Sequence, residues 1–88
     1  MKTRQLIVHR EGGVHLRVAA EIVKQVQQHH SAVHIRCAGC PQANACSIFE
    51  LLTLGAAKGD SLEVSVEGPD EEAALQAVSE VFDGGAGI

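Results

Sequence analysis

Gly12-Gly13-Val14-His15-Leu16-Arg17-Val18-Ala19-Ala20 joins two elements of different period. A strand is expected before it, over roughly 4–9, and a helix after it, over roughly 17–28. His15 falls at the junction, in or beside the first helical turn. A helix start carries unpaired N–H groups and a partial positive charge, so it favours anions. Arg17 adds a cation whose forked donors suit phosphate oxygens. Gly12 and Gly13 allow a sharp turn that presents the imidazole to solvent. An exposed ring nitrogen beside a phosphate site is able to accept a phosphoryl group and pass it on.

Outward from this stretch, Leu6 and Val8 share one face of the first strand, and Gln5, Ile7 and His9 the other. Ile7 interrupts the alternation, which suits a central strand. Val18, Ala19, Ile22, Val23 and Val26 recur at helical spacing, opposite Glu21, Lys24, Gln25 and Gln28. Residues 32–37 then alternate, with Val33, Ile35 and Cys37 inward and His34 and Arg36 outward. Ala38-Gly39-Cys40-Pro41 reads as a turn, and a short return strand is expected over roughly 42–46.

Ser47-x-x-Glu50 fits a capping box before a short helix over 48–54, with Gly55 as its C-terminal cap. Leu62, Val64 and Val66 alternate with Glu63, Ser65 and Glu67 in a further strand over 61–67. Gly68-Pro69-Asp70 is a turn in which Asp70 is placed to cap the last helix, and Glu71 and Glu72 favour its first turn. Ala74, Leu75, Val78, Val81 and Phe82 form that helix's apolar stripe, and residues 84–88 are expected to fray. The order β-α-β-β-α-β-α argues an α+β fold with one antiparallel sheet and its helices on one face.

Eighty-eight residues make one domain, 1–88, with a small core. Hydrophobic residues are 45% of the chain, but only two are aromatic, which disfavours stacking on single-stranded nucleic acid. The net charge of −4 and the lack of a basic run argue against any nucleic-acid partner. No apolar stretch approaches a membrane span, and the N-terminal residues lack a signal-peptide core, so a cytoplasmic location without membrane insertion is expected.

The stretch around His15 resembles the active-site signature of the HPr family, the phosphocarriers of the bacterial sugar phosphotransferase system. The family pattern, roughly Gly-Leu-His-x-Arg-Pro-Ala, here reads Gly13-Val14-His15-Leu16-Arg17-Val18-Ala19. The segment Ser47 to Gly55 resembles the family's regulatory-serine helix, and Lys58-Gly59-Asp60 through Glu71 its last strand and turn. The resemblance implies an HPr-like open-faced β-sandwich, a four-stranded antiparallel sheet with three helices on one face. It also implies a phosphoryl carrier rather than an enzyme, likewise a monomer that needs no cofactor or metal.

In that reading His15 takes a phosphoryl group from phospho-enzyme I and gives it to enzyme IIA components. Arg17 contacts the phosphate, as do the backbone N–H groups of Leu16, Arg17 and Val18. Leu16, Phe49, Leu52 and Leu54 are candidates for an apolar docking patch, some of which must instead be core. Ser47 has a structural role as N-cap and, by resemblance, a regulatory one as a target of HPr kinase/phosphorylase. A phosphate there would act on docking more than on folding, slightly opposed by Glu50.

Two positions depart from the family: Val18 replaces its usual proline, and Cys46 a basic residue before the serine. Val18 and Glu50 keep a regulatory, nitrogen-related paralogue open. Cys37-x-x-Cys40 is half of a zinc or redox motif, since a closed zinc site needs four ligands. A binding module built on the cysteine hairpin or Ser47, with His15 silent, is the second class. With three cysteines, an odd number, free thiols are the plain expectation in a reducing compartment.

Overall fold

The computed structural model describes residues 1–8, 16–37, 42–54 and 59–82. Strand β4, Ser61–Glu67, runs through the middle of the sheet. Its inward residues Leu62, Val64 and Val66 are buried, as the alternation requires. It is paired antiparallel on one side with β1, Lys2–Ile7, and on the other with β2, Ala32–Cys37. The two-residue strand β3, Ala43–Asn44, pairs with the far side of β2, giving the order β1-β4-β2-β3.

Three helices complete the fold: α1, Leu16–Gln27; α2, Ile48–Leu52; and α3, Glu71–Phe82. The periodic residues of α1 and α3 are buried, and they join Val33, Ile35 and the β4 triad in one core. This is the α+β open-faced arrangement with four antiparallel strands and three helices.

Strand β1 departs from expectation: it begins at Lys2 and lies at the sheet edge. Its register pairs Lys2 with Val66 and Arg4 with Val64, so these basic residues share the helix-covered face. Charge is tolerated there because α3 supplies partners. Lys2 Nζ lies 3.0 Å from Glu72 Oε1, and Arg4 Nη1 donates to Ser79 Oγ at 3.0 Å. Ile7 pairs with Ser61 on the open face and is 44% exposed.

Strand β3 is shorter than expected because Asn44 turns the chain. Its Oδ1 accepts from the Cys46 N–H at 2.9 Å, and its carbonyl accepts from the Ser47 N–H at 3.0 Å. Helix α2 also ends early, with Thr53 as C-cap and its hydroxyl donating to the Glu50 carbonyl at 2.6 Å. The Cys40 turn, the Gly55 cap and the 84–88 tail lie outside the described residues.

At the end of the sheet where α1 turns into β2, the chain is clasped by a polar cluster. Asp70 precedes α3 and its carbonyl accepts from the Ala74 N–H at 3.0 Å. Its carboxylate, expected to cap α3, instead accepts from the His30 N–H at 2.9 and 3.1 Å and from the Ser31 hydroxyl. The reason is proximity: Gly68 lets the β4–α3 turn lie directly on Ser31. A Cβ on Gly68 would stand 2.6 Å from Ser31 Cα.

Two measurements test this clasp. Gly68→Ala is expected to lower stability by about 1–3 kcal/mol, because backbone must move to admit the methyl group; chemical denaturation reads it directly. The Ser31 hydroxyl, then the His30 N–H, hold the Asp70 carboxyl below its ordinary pKa, with nearby His29 helping. A depressed carboxyl stabilises the fold above its unfolded pKa, and that contribution fades as pH falls through the folded value. Melting temperature should therefore drop more steeply below about pH 4 in the native chain than in Asp70→Asn.

Candidate functional site

The first turn of α1 is built from two exposed and two buried residues. Leu16 and Arg17 face solvent, Leu16 at 62% exposure, while Val18 and Ala19 are buried. Val18 thus seats the helix start on the core. A β-branched side chain is stiff at χ1 and suits such an anchor, so the missing proline ring does not leave this turn unsupported. No acidic residue lies in the first turn, so its unpaired N–H groups face only the cation of Arg17. That charge is mildly unfavourable without an anion present.

Upstream, buried Val8 donates to the Asp60 carbonyl at 2.9 Å, and its own carbonyl accepts from the Gly59 N–H at 2.8 Å. The chain is therefore held at Val8 and again at Leu16. His15, with Gly12, Gly13 and His9, lies between them and outside the described residues.

Helix α2 packs against α1. Ser47 is its N-cap, in extended conformation, and its hydroxyl accepts from the Glu50 N–H at 3.3 Å. The second half of the expected capping box is displaced. Glu50 Oε1 accepts from the Asn44 N–H at 3.0 Å, and the Ser47 N–H goes to the Asn44 carbonyl.

Of the apolar docking candidates, Leu16, Phe49 and Leu52 are exposed, Phe49 at 80% and Leu52 at 38%. Leu54 is only 5% exposed and belongs to the core. After the Thr53 cap the chain tightens, with the Leu54 N–H donating to the Leu51 carbonyl at 3.2 Å, and this turns Leu54 inward beside buried Leu51. The patch therefore holds three of the four residues. Ile48, which the sequence reading did not single out, packs partly against the core.

The other chemical candidates are spread apart. Cys37 is half-buried against the core, Cys46 is exposed, and Cys40 lies outside the described residues. Among the described residues no group of three or more His, Cys, Asp or Glu side chains is placed to hold a metal ion. His29 Nδ1 lies 2.7 Å from the Gln25 carbonyl, and His34 sits on the open face opposite Asn44 and Ser65. Two shallow clefts, of about 120 and about 190 Å³, are lined by residues of the sheet and its flanks, and none of these belongs to α1 or α2. Among the described helices none is long and apolar enough to cross a membrane.

An open-faced sandwich with a solvent-facing helix start, an apolar patch on the next helix and no deep cleft beside either defines a class: small α+β carriers that present a group to other proteins. The family described as the PTS HPr component phosphorylation site matches residues 2–83, and the chain belongs to that family. It is 34% identical over 83 residues to the phosphocarrier protein HPr of Xylella fastidiosa (strain 9a5c), covering 94% of this chain and 92% of that one. It is 38% identical over 73 residues to the phosphocarrier protein NPr of Escherichia coli (strain K12), covering 83% and 81%. The crystal structure of HPr-C-His from Thermoanaerobacter tengcongensis superposes with a TM-score of 0.90 at 28% identity, covering 100% of this chain and 98% of that one.

The division between patch and core is measurable. Leu54→Ala should cost about 2–4 kcal/mol, as expected for a buried leucine. Phe49→Ala should change stability by no more than about 0.5 kcal/mol, as at an exposed site. Equal losses in urea unfolding would mean that Phe49 is packed in solution.

Proposed function

We propose that His15 is the phosphoryl acceptor of this phosphocarrier. A ring nitrogen attacks phosphorus on the phosphohistidine of enzyme I, itself charged from phosphoenolpyruvate. The new N–P bond forms as the donor's breaks, and the ring proton is shed. Enzyme IIA components then take the group by the same exchange in reverse. The observation that carries this reading is the family match across residues 2–83, which includes Gly13-Val14-His15-Leu16-Arg17-Val18-Ala19.

The surroundings support it. The guanidinium of exposed Arg17 and the N–H groups of Leu16, Arg17 and Val18 supply donors for the phosphate oxygens. The exposed position favours transfer over storage, since tight binding of the phosphorylated state would slow its release. No resident cofactor enters the exchange. Leu16, Phe49 and Leu52 form the surface on which donor and acceptor dock in turn. The chain acts as a single domain over 1–88, as a monomer in the cytoplasm, where both partners meet it.

Ser47 has a second role as a target of HPr kinase/phosphorylase. Its hydroxyl must release the Glu50 N–H to be modified, so phosphorylation exchanges a cap for a charge on the docking face. Both relatives named above are phosphocarriers, so the relay does not depend on which of them the chain follows in the choice of pathway.

Intact mass after incubation with phosphoenolpyruvate and active enzyme I tests the reading. A single adduct of roughly 80 Da, the mass of one phosphoryl group, is expected. It should be lost in mild acid and absent from His15→Ala. An adduct that survives acid, or persists in His15→Ala, would assign the phosphate elsewhere.

A further inference from the structure

The charges of the docking face are divided between its two helices. On α1 the exposed residues include the cations Arg17 and Lys24. On α2, Ile48-Phe49-Glu50-Leu51-Leu52, the only charge is Glu50, immediately beside Phe49, the most exposed of the described large apolar side chains. Glu50 is also fixed in place. Its Oε1 accepts from the Asn44 N–H, while Asn44 is itself tied to Cys46 and Ser47. Its Oε2 has no partner among the described residues.

A protein that covers Phe49 must bring its own surface over this carboxylate. Removing a charge from water without a counter-charge costs more than burial of the neighbouring ring returns. Glu50 cannot swing aside without abandoning the Asn44 N–H, a buried-on-docking donor that would then be unsatisfied as well.

We propose that Glu50 determines which phosphoryl donor this carrier accepts: the cognate enzyme I presents a lysine or arginine to Glu50 beside an apolar hollow for Phe49. A donor with acidic groups at that position is repelled, even though it could still match Arg17 and Lys24 on α1. Discrimination of this kind comes from like-charge opposition as much as from attraction. The inference rests on the carrier reading above and names a feature of its partner.

The test is phosphoryl transfer from phosphorylated enzyme I of the same organism to the native chain, Glu50→Gln and Glu50→Lys. Glutamine keeps a carbonyl oxygen for the Asn44 N–H and removes only the charge, and thermal unfolding shows that each variant is folded. At about 0.05 M salt Glu50→Gln should raise KM about threefold to tenfold with little change in kcat, and Glu50→Lys should raise it further; at about 0.5 M salt the differences should shrink. A KM that is unchanged or lower in Glu50→Gln would overturn the proposal. So would a rise that is independent of salt and accompanied by a lowered Tm, which would make Glu50 part of the α2 scaffold only. Failure of the native chain to accept phosphate from an active enzyme I would instead overturn the carrier reading, and this assignment with it.

Discussion

Everything in this fold follows from the demands on β4. It must satisfy hydrogen bonds along both edges, and it must keep Leu62, Val64 and Val66 out of water on one face. Its other face is Ser61, Glu63, Ser65 and Glu67, which cannot be covered cheaply. Both long helices therefore pack on the same side, and the opposite side stays open. With β1 and β2 each antiparallel to β4, the link through α1 must pass over the apolar face. That geometry places the start of α1 at the end of the sheet where β1 finishes.

Helix α1 has twelve residues, so its ends are about 18 Å apart. The two ends are treated differently. At the C-terminal end, Asp70 gathers the His30 N–H and the Ser31 hydroxyl, and Gly68 seats the neighbouring turn against Ser31. At the N-terminal end the fixed points are backbone pairing at Val8 and the buried side chains of Val18 and Ala19. Polar side chains are spent on the clasp, and Arg17 stays exposed at the other end. Rigidity is thus supplied without occupying the groups that a phosphate needs.

The regular elements were legible because their periods are long and clean. Residues 61–67 alternate without a break, and α1 shows its apolar stripe five times. The failures are of another kind. Lys2 and Arg4 could not be read as inward-facing, because their partners Glu72 and Ser79 come from α3, about seventy residues away. Asp70 was read locally as a cap, whereas its carboxylate is claimed by a turn forty residues earlier. Leu54 was ambiguous because a five-residue helix samples little more than one turn, too little to fix a face by period. Motif residues around His15 were recognisable from residue types alone, but not the anchoring role of Val18, which depends on what α1 lies against.

A relay protein needs docking that is specific and brief. Burying a side chain the size of Phe49 yields about 1.5–3 kcal/mol, and a surface ion pair about 0–1 kcal/mol. A few such contacts, less the cost of association, give weak complexes that dissociate quickly, because affinity among related complexes is set mostly by the off-rate. The exposed part of α2 matches that scale: Phe49 and Leu52 as apolar anchors and Glu50 as a fixed charge. Moving Leu54 from surface to core serves the same end. It anchors the chain after α2 to the core, so the anchors are offered by a preorganised helix, and it keeps the patch small enough for partners to leave.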